Sequence, residues 1–173
     1  MTEQVVPPSL QSIATEVAQL LKERKETISV AETAAGGLVS AALLATPGAS
    51  SIYKGGLTLY TLQSRIQFAG WTQANIDGYK GPTPDIVAGL AENVRAKLES
   101  TYCVSESGTA GPTGGSTPNR TPGYVALAVA SESGTKRIDL DTGKGTDREQ
   151  NMLAFAIHAL KLVKEVINGQ AKM

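Results

Sequence analysis

Apolar residues recur every three or four positions in three long stretches, a spacing that predicts helices with one buried face. The first stretch begins after Pro7–Pro8, where Ser9 is a candidate N-cap. The second begins at Thr83–Asp85, with a capping hydroxyl, a proline and an acid that the helix dipole favours. The third extends from about Thr146–Asn168. Their predicted buried faces are Leu10, Ile13, Val17, Leu20 and Leu21; Ile86, Leu90, Val94 and Leu98; and Met152, Leu153, Phe155, Ala156, Leu160, Val163 and Ile167.

Short runs rich in β-branched residues separate these helices and predict five strands. In chain order the runs are TISVAE, GGLTLYT, YCVSESG, YVALAVA and KRIDLDT, and the last two predict a hairpin that turns near Ser133–Gly134. A short helix is expected over about Gly37–Ala45, ended by Pro47–Gly48. LQSRIQFAG is expected to form a short helix or turn, and Trp71–Gly81 is expected to be a loop.

The order of these elements predicts an α/β fold. We expect a single-domain sandwich in which a central mixed β-sheet is flanked by helices. No internal repeat and no interior linker divides the sequence. The expected organisation is a flexible N-terminal segment over residues 1–9, the α/β domain over residues 10–168 and a tail over residues 169–173.

Composition narrows the class of protein further. The chain of 173 residues is 41% hydrophobic but only 5% aromatic, so aliphatic residues must build the core. Sixteen basic residues balance sixteen acidic ones, which predicts neither nucleic-acid nor membrane binding. No signal peptide is recognisable, and no apolar run approaches the roughly 20 residues of a membrane span. We therefore expect a soluble, cytoplasmic protein whose partner is a small molecule.

Two glycine-rich turns are the candidate binding elements, because each follows a predicted strand. AETAAGG contains Gly36 and Gly37, and GTAGPTGGSTPNRTPG follows the third strand. Ligands of open α/β sheets favour the carboxyl ends of strands, and small side chains let a ligand approach backbone N–H groups. The helix N-terminus after Gly37 would favour an anion such as phosphate. Alternatively the first turn only allows close packing, but the long second loop costs ordering entropy unless it lines something.

Several reaction types are not expected from the remaining residues. His158 is the only histidine and lies within the last predicted helix, which argues against a Ser-His-Asp triad. No residue spacing indicates a transition-metal site, and the P-loop pattern is absent from the sequence. Cys103 is the only cysteine and its strand position predicts a buried thiol. Hydroxyl chemistry remains, with Thr33 in the first turn and Tyr60 and Arg65 after the second strand.

Three motifs occur in one order with few gaps: VAETAAGGLVSAALLATPGASSIYKGGLTLYT, SGTAGPTGG and TPGYVALA. From about residue 10 to residue 167 the chain resembles the C-terminal domain of the competence/damage-inducible protein CinA family. The resemblance implies a central sheet flanked by helices and a homodimer or higher homo-oligomer. It also implies hydrolysis of nicotinamide mononucleotide to nicotinic acid mononucleotide and ammonia, a step of NAD salvage, without metal or cofactor. Many members carry a second, N-terminal domain, so we expect the stand-alone form.

The resemblance also implies catalytic roles, and this chain alters them. The serine that resembling proteins use as nucleophile falls on Thr33, and the lysine that could act as base falls on Arg65. Tyr60 is retained, whereas two polar neighbours of the serine fall on Ala34 and Ala35. Arginine stays protonated at ordinary pH, so it can bind an oxyanion but is a poor general base. We expect Thr33, Tyr60 and Arg65 to be the catalytic residues and turnover to be weak.

The substrate is expected between the two turns. Near the last helix the two arginines typical of the family are displaced, and Lys144 or Arg148 is the candidate replacement. Glu106 stands where the family usually has an apolar residue. The candidate substrate-binding residues are Glu32, Gly36, Gly37, Gly108, Thr109, Ala110, Gly111, Gly114, Gly115 and Arg148.

Three functions stay open from the sequence. The first is an amidohydrolase for nicotinamide mononucleotide or a related small nucleotide, with Thr33 as nucleophile and the N–H groups of residues 108–115 holding an oxyanion or phosphate. The second is a catalytically degenerate protein that binds a nucleotide or metabolite, with Arg65 as the anchor. The third is a different reaction in a remodelled pocket, where Glu106 supplies an acid or base.

Overall fold

A computed structural model describes residues 3–170 of the chain. Within these residues, helices and strands alternate in the first part of the chain, and three consecutive helices, three consecutive strands and a final helix follow. The helices are α1 (Pro8–Arg24), α2 (Leu38–Leu44), α3 (Leu62–Phe68), α4 (Gln73–Asp77), α5 (Pro84–Leu98) and α6 (Arg148–Ile167), with short 3₁₀ segments at Ala49–Ser51 and Pro118–Arg120. The strands are β1 (Ile28–Glu32), β2 (Tyr53–Thr58), β3 (Tyr102–Gly108), β4 (Tyr124–Ser131) and β5 (Gly134–Asp141).

The strands form one mixed sheet in the order β2-β1-β3-β4-β5. β1 pairs in parallel with β2 and β3, whereas β4 is antiparallel to β3 and β5 is antiparallel to β4. The β4–β5 hairpin turns between Ser131 and Gly134, as the sequence predicts. Because β2, β1 and β3 are parallel, their carboxyl ends meet at one edge of the sheet, where α/β folds bind ligands.

Helices cover both faces of the sheet, and each face has its own hydrophobic core. Side chains alternate along β1, so that Val30 packs with α1, α2 and α6 while Ala31 packs with α5. On the first face Phe155 and Leu160 of α6 are fully buried, and on the second Leu90 of α5 is fully buried. The predicted single-domain sandwich with a central mixed sheet is confirmed.

Helix starts show where local signals succeed and fail. The Thr83 hydroxyl accepts the Ile86 N–H at 3.3 Å and caps α5, as predicted. The prediction that Ser9 caps the first helix is wrong, because α1 begins at Pro8 with Pro7 as its N-cap and no side-chain cap. Proline suits the first helical position, since its fixed φ is helical and it has no N–H to satisfy.

The stretch from residue 71 to residue 81 is not only a loop, because it contains the short helix α4. Thr72 and Asn75 form a capping box at the start of this helix. No residue of α4 is buried, so the helix carries no apolar face and leaves no hydrophobic period to recognise in the sequence.

Part of the predicted N-terminal segment, residues 1–9, packs against the rest of the fold. Val6 is only 3% exposed and belongs to the core of the α1 face, and residues 8 and 9 are helical. Residues 1 and 2 of the predicted N-terminal segment and residues 171–173 of the predicted tail lie outside the described residues.

Candidate functional site

Thr33 is the first residue after β1 and lies beside the end of β3. The two strands are in register, with Glu32 opposite Glu106. The Thr33 hydroxyl donates to Ser107 Oγ at 3.1 Å, and Arg65 Nη2 approaches the same Ser107 oxygen at 3.5 Å. The structure therefore brings Thr33 and Arg65 together through a hydroxyl that the sequence did not single out.

Arg65 is buried at 3% exposure, although it sits on the short helix α3. Its Nε donates to the Leu59 carbonyl at 3.3 Å. Its guanidinium carbon lies 4.9 Å from the centre of the Trp71 ring and 5.4 Å from that of Tyr79, so both rings provide cation–π contacts. Within residues 3–170, Nη1 is buried and has no hydrogen-bond partner. The guanidinium is thus held in place with one donor group left over.

Glu32 organises the start of α2. Its Oε1 accepts the N–H groups of Gly37 at 2.5 Å and Val39 at 3.3 Å. Its Oε2 accepts both the N–H and the hydroxyl of Ser40, at 3.0 and 3.1 Å. A carboxylate at a helix N-terminus satisfies free N–H groups and suits the helix dipole. The side chain is fully buried, so its contacts are those of a structural anchor for the turn.

Glu106 holds the same turn from β3. Its Oε2 accepts the N–H groups of Thr33 at 3.0 Å and Ala35 at 2.9 Å. Its Oε1 is buried without a hydrogen-bond partner among the described residues. Two neighbouring carboxylates therefore fix the turn that carries Thr33.

Burial of these two acids changes their protonation. Removal from water raises the pKa of Glu106 to about 7, although the Ala35 and Thr33 N–H groups act in the opposite direction and the charge of Glu32 adds to the increase. Burial also raises the pKa of Glu32, against the lowering effect of its N–H donors at Ser40, Val39 and Gly37. Glu106 can consequently change its charge near neutral pH.

The glycines of both turns meet geometric demands. Gly37 has φ of +97° at the N-cap of α2, a conformation that side chains rarely adopt. At Gly108, a Cβ would lie 2.6 Å from the Tyr124 carbonyl oxygen and 2.8 Å from the Phe155 ring. Gly37 is thus required for its backbone conformation, since a Cβ there would meet only Thr58 Oγ1 at 3.9 Å, whereas Gly108 is required for close packing.

The second loop lines a cavity of about 330 Å³. Residues that contribute to it are Tyr79, Gly81, Pro82, Gly108, Thr109, Thr113, Gly114, Gly115 and Arg120. Two of the loop N–H groups are engaged within the protein, since Thr109 donates to the Tyr124 carbonyl and Gly115 to the Arg120 carbonyl. Tyr79 connects this cavity to Arg65. Thr33 does not line the cavity and is 3% exposed.

Tyr60 and Arg148 form a second part of the site. Arg148 Nη2 donates to the Tyr60 hydroxyl at 3.2 Å, and its Nη1 donates to the Gly111 carbonyl at 2.6 Å. Asn151 on the same helix donates to the Ala110 carbonyl at 2.9 Å. Among the described residues, Tyr60 makes no hydrogen bond to the hydroxyls at the end of β1 and β3, and it is 60% exposed. Side chains from the start of α6 therefore hold the second loop by hydrogen bonds to its backbone carbonyls.

Sequence reasoning missed Ser107, Trp71, Tyr79 and Asn151. Ser107 precedes Gly108 in the SGTAGPTGG motif, and its place in this motif could have marked it as a candidate site residue. Trp71 and Tyr79 carried no signal, because they flank a helix without an apolar period. Lys144, the other candidate replacement for a family arginine, is exposed in the β5–α6 connection.

Other groups considered from the sequence have simple environments. Cys103 is fully buried, and burial raises the pKa of its thiol to about 12. His158 lies on α6, where burial and the charge of Lys161 lower its pKa. Residues 3–170 bring together no group of three or more His, Cys, Asp and Glu side chains that could hold a metal ion. No helix in this part of the chain has the length and apolar character needed to cross a membrane.

Solved structures share this fold along nearly the whole chain. The competence/damage inducible protein CihA from Agrobacterium tumefaciens superposes with a TM-score of 0.87 at 22% identity, covering 96% of this chain and 99% of that one. A competence-damaged protein (CinA) superfamily protein from Escherichia coli gives a TM-score of 0.83 at 18% identity, covering 96% and 95%. At these identities the likeness establishes the fold.

Sequence comparison identifies the family. A CinA-like protein of Desulforapulum autotrophicum is 32% identical over 152 residues, covering 87% of this chain and 35% of the relative. A CinA-like protein of Thermotoga neapolitana is 30% identical over 150 residues, covering 86% and 36%. The chain thus spans about a third of the length of these curated relatives. The family model described as CinA C-terminal domain matches residues 10–167. The chain belongs to the CinA family.

Proposed function

We propose that this chain is a metal-independent amidohydrolase that slowly hydrolyses the amide of a small phosphorylated nucleotide such as nicotinamide mononucleotide. The observation that carries the proposal is the contact of the Thr33 hydroxyl with Ser107, next to the Arg65 guanidinium. The Thr33 hydroxyl lies at the carboxyl ends of parallel strands, where α/β folds bind ligands, and its hydrogen bond to Ser107 gives its proton a path away from the oxygen.

The reaction begins with attack by Thr33 Oγ on the amide carbon. The Thr33 proton moves to Ser107 Oγ, and the Ser107 proton moves to the departing nitrogen, which leaves as ammonia. Thr33 then carries an ester of the acid, and water hydrolyses it to the free carboxylate and restores the hydroxyl. Arg65, whose Nη2 lies 3.5 Å from Ser107 Oγ, stabilises the negative charge that this oxygen carries when its own proton moves to the departing nitrogen ahead of the arrival of the Thr33 proton.

The same geometry explains why turnover is expected to be slow. Thr33 donates to a serine hydroxyl, which is not a base near neutral pH, and the neighbouring guanidinium does not release its proton. Losing a general base costs about 10²- to 10⁴-fold in rate. The threonine methyl further restricts the rotation of the nucleophile.

The remaining parts of the site are proposed to bind the ligand. The cavity beside Gly108 and Thr109 is proposed to hold the nucleotide, and the exposed Arg120 at its border supplies positive charge. Arg148, with Tyr60 as its hydrogen-bond partner, is the second proposed cation for the phosphate.

Ammonia release from nicotinamide mononucleotide by purified protein at neutral pH tests this proposal. We expect slow release that Thr33→Ala abolishes. Thr15→Ala, which removes an exposed threonine hydroxyl from α1, is the matched control and should release ammonia at the wild-type rate. No release above a buffer blank, or equal release by Thr33→Ala, would contradict the proposal.

A second candidate function is ligand binding without turnover. It is favoured by the burial of Thr33 and by the absence of a basic partner for its hydroxyl among residues 3–170. In that case the nucleotide should stabilise the fold, by about 2.7 kcal/mol at one hundred times its dissociation constant. A thermal shift without ammonia release would select this function over the first.

A further inference from the structure

The Arg65 guanidinium is a buried cation that lacks an anionic partner. It is 3% exposed, and it takes part in none of the ion pairs formed by residues 3–170. Its protein contacts are a backbone carbonyl, a serine hydroxyl and the faces of Trp71 and Tyr79, and Nη1 has no hydrogen-bond partner. A buried charge is costly unless it is paired. The site is therefore electrostatically prepared for a negatively charged group.

The position of Arg65 identifies which end of a ligand would supply that group. Under the proposed function, the amide carbon lies at Thr33 Oγ. Thr33 Oγ is 3.1 Å from Ser107 Oγ, which is 3.5 Å from Arg65 Nη2. The guanidinium thus lies near the reacting end of the ligand, whereas the phosphate is assigned to other cations.

Hydrolysis converts the amide at the reacting end of the ligand into a carboxylate, and a guanidinium binds these two groups differently. An amide is neutral and presents an NH₂ group, which is a donor and cannot pair with the donors of Arg65. A carboxylate is charged and presents two acceptors that match the planar fork of arginine. A carboxylate at this position would also supply the missing negative charge beside the two aromatic rings.

We propose that Arg65 makes this site a carboxylate receptor, which holds the acid form of the ligand more tightly than the amide form. The inference rests on the proposed function for the placement of the reacting group at Thr33. If the protein hydrolyses the amide, it should release the acid product slowly. If it does not, it should act as a binding protein that is selective for the acid.

Binding of nicotinic acid mononucleotide and nicotinamide mononucleotide to the wild-type protein tests the inference directly. Both probes carry the same phosphate, so a difference between their affinities comes from the exchange of the amide for a carboxylate. Calorimetric titration should give an affinity about 10-fold higher for the acid, since hydrogen bonds between charged groups exceed neutral ones. Trp71, the only tryptophan, is a second reporter because its ring touches the guanidinium. Equal affinities, or tighter binding of the amide, would overturn the inference.

Variants then assign the preference to the guanidinium. Arg65→Gln should bring the two affinities within about twofold of each other. Arg137→Gln removes an exposed arginine paired with Asp85, and this matched control should keep the wild-type preference. If circular dichroism shows that Arg65→Gln does not fold, the two affinities of the wild-type protein still decide whether the site prefers the acid. A folded Arg65→Gln protein that keeps the preference for the acid would refute the role of Arg65.

Ammonia measured in the same samples separates the inference from the proposed function. An acid preference without ammonia release supports the receptor and rejects the hydrolase. Ammonia release with equal affinities supports the hydrolase and rejects the receptor.

Discussion

Replacement of Glu106 by glutamine should change how the stability of the protein depends on pH. Glutamine keeps a carbonyl oxygen that can accept the Thr33 and Ala35 N–H groups, which Glu106 now binds at 3.0 and 2.9 Å. It cannot ionise. The variant therefore removes the buried charge while preserving the turn, and it isolates the electrostatic contribution of this acid.

The sign and size of the effect follow from the raised pKa of Glu106. Burial raises that pKa from 4.5 to about 7, so the unfolded chain loses this proton first as the pH rises. The folded state binds more protons between these values, and its stability falls through that window and then levels off. At about 1.4 kcal/mol per pH unit, the wild-type protein loses about 3 kcal/mol relative to Glu106→Gln between pH 4.5 and 7. The charge of Glu32, the titratable neighbour, acts in the same direction.

Urea unfolding of both proteins at pH 5, 6, 7 and 8 provides the measurement. The difference in the free energy of unfolding should grow in favour of Glu106→Gln up to about pH 7 and then stay constant. Glu165→Gln removes an exposed carboxylate from α6 and should change stability by no more than about 0.5 kcal/mol at each pH. Parallel curves for wild type and Glu106→Gln would show that the carboxyl group is not held in the environment described.

The double variant Thr33→Ser, Arg65→Lys should release ammonia about 100-fold faster than wild type, because serine is less crowded and lysine can accept a proton; an unchanged rate would show that this pair does not limit turnover. Gly108→Ala should lower the free energy of unfolding by about 1–3 kcal/mol, since its Cβ would lie 2.6 Å from a carbonyl oxygen. Gly89→Ala on α5 adds a Cβ that meets no atom within 4 Å and should raise the free energy of unfolding by about 0.5–1 kcal/mol. Urea unfolding that finds Gly108→Ala more stable than Gly89→Ala would contradict the packing described at these two positions. Cys103 should resist Ellman's reagent until the protein unfolds, because burial raises the pKa of its thiol to about 12; rapid labelling of the native protein would show that the strand is accessible.

Most of the helices and strands could be predicted from the local periodicity of the sequence. Each predicted strand is present in the structure. Strands are predictable in this way because β-branching and alternation are properties of residues that are close in sequence. Leu90 and Leu160 are buried as their helical spacing predicts. The start of α1 was misplaced because Ser9 and the adjacent prolines are competing signals within three positions. In this case the fixed φ of proline decided the outcome.

The candidate site was less predictable, because its contacts join distant parts of the sequence. The contact between Thr33 and Ser107 spans 74 positions, and that between Thr33 and Glu106 spans 73. No pattern within a helix or strand records such pairs. The resemblance to the family pointed to Thr33 and Arg65, but only the structure shows that Arg65 is buried against the rings of Trp71 and Tyr79.

The two carboxylates that bind the N–H groups of the first turn make this turn more rigid than the second loop. Amide hydrogens at Thr33 and Ala35 are held by a buried oxygen, so exchange with deuterated solvent requires the surrounding core to open. Residues 112–118 of the second loop are exposed, and those of their N–H groups that have no partner in the protein can exchange without disturbing that core. Exchange should therefore be fast in the second loop and slow at Thr33, so that the proposed nucleophile stays in a fixed position while the loop is free to adapt.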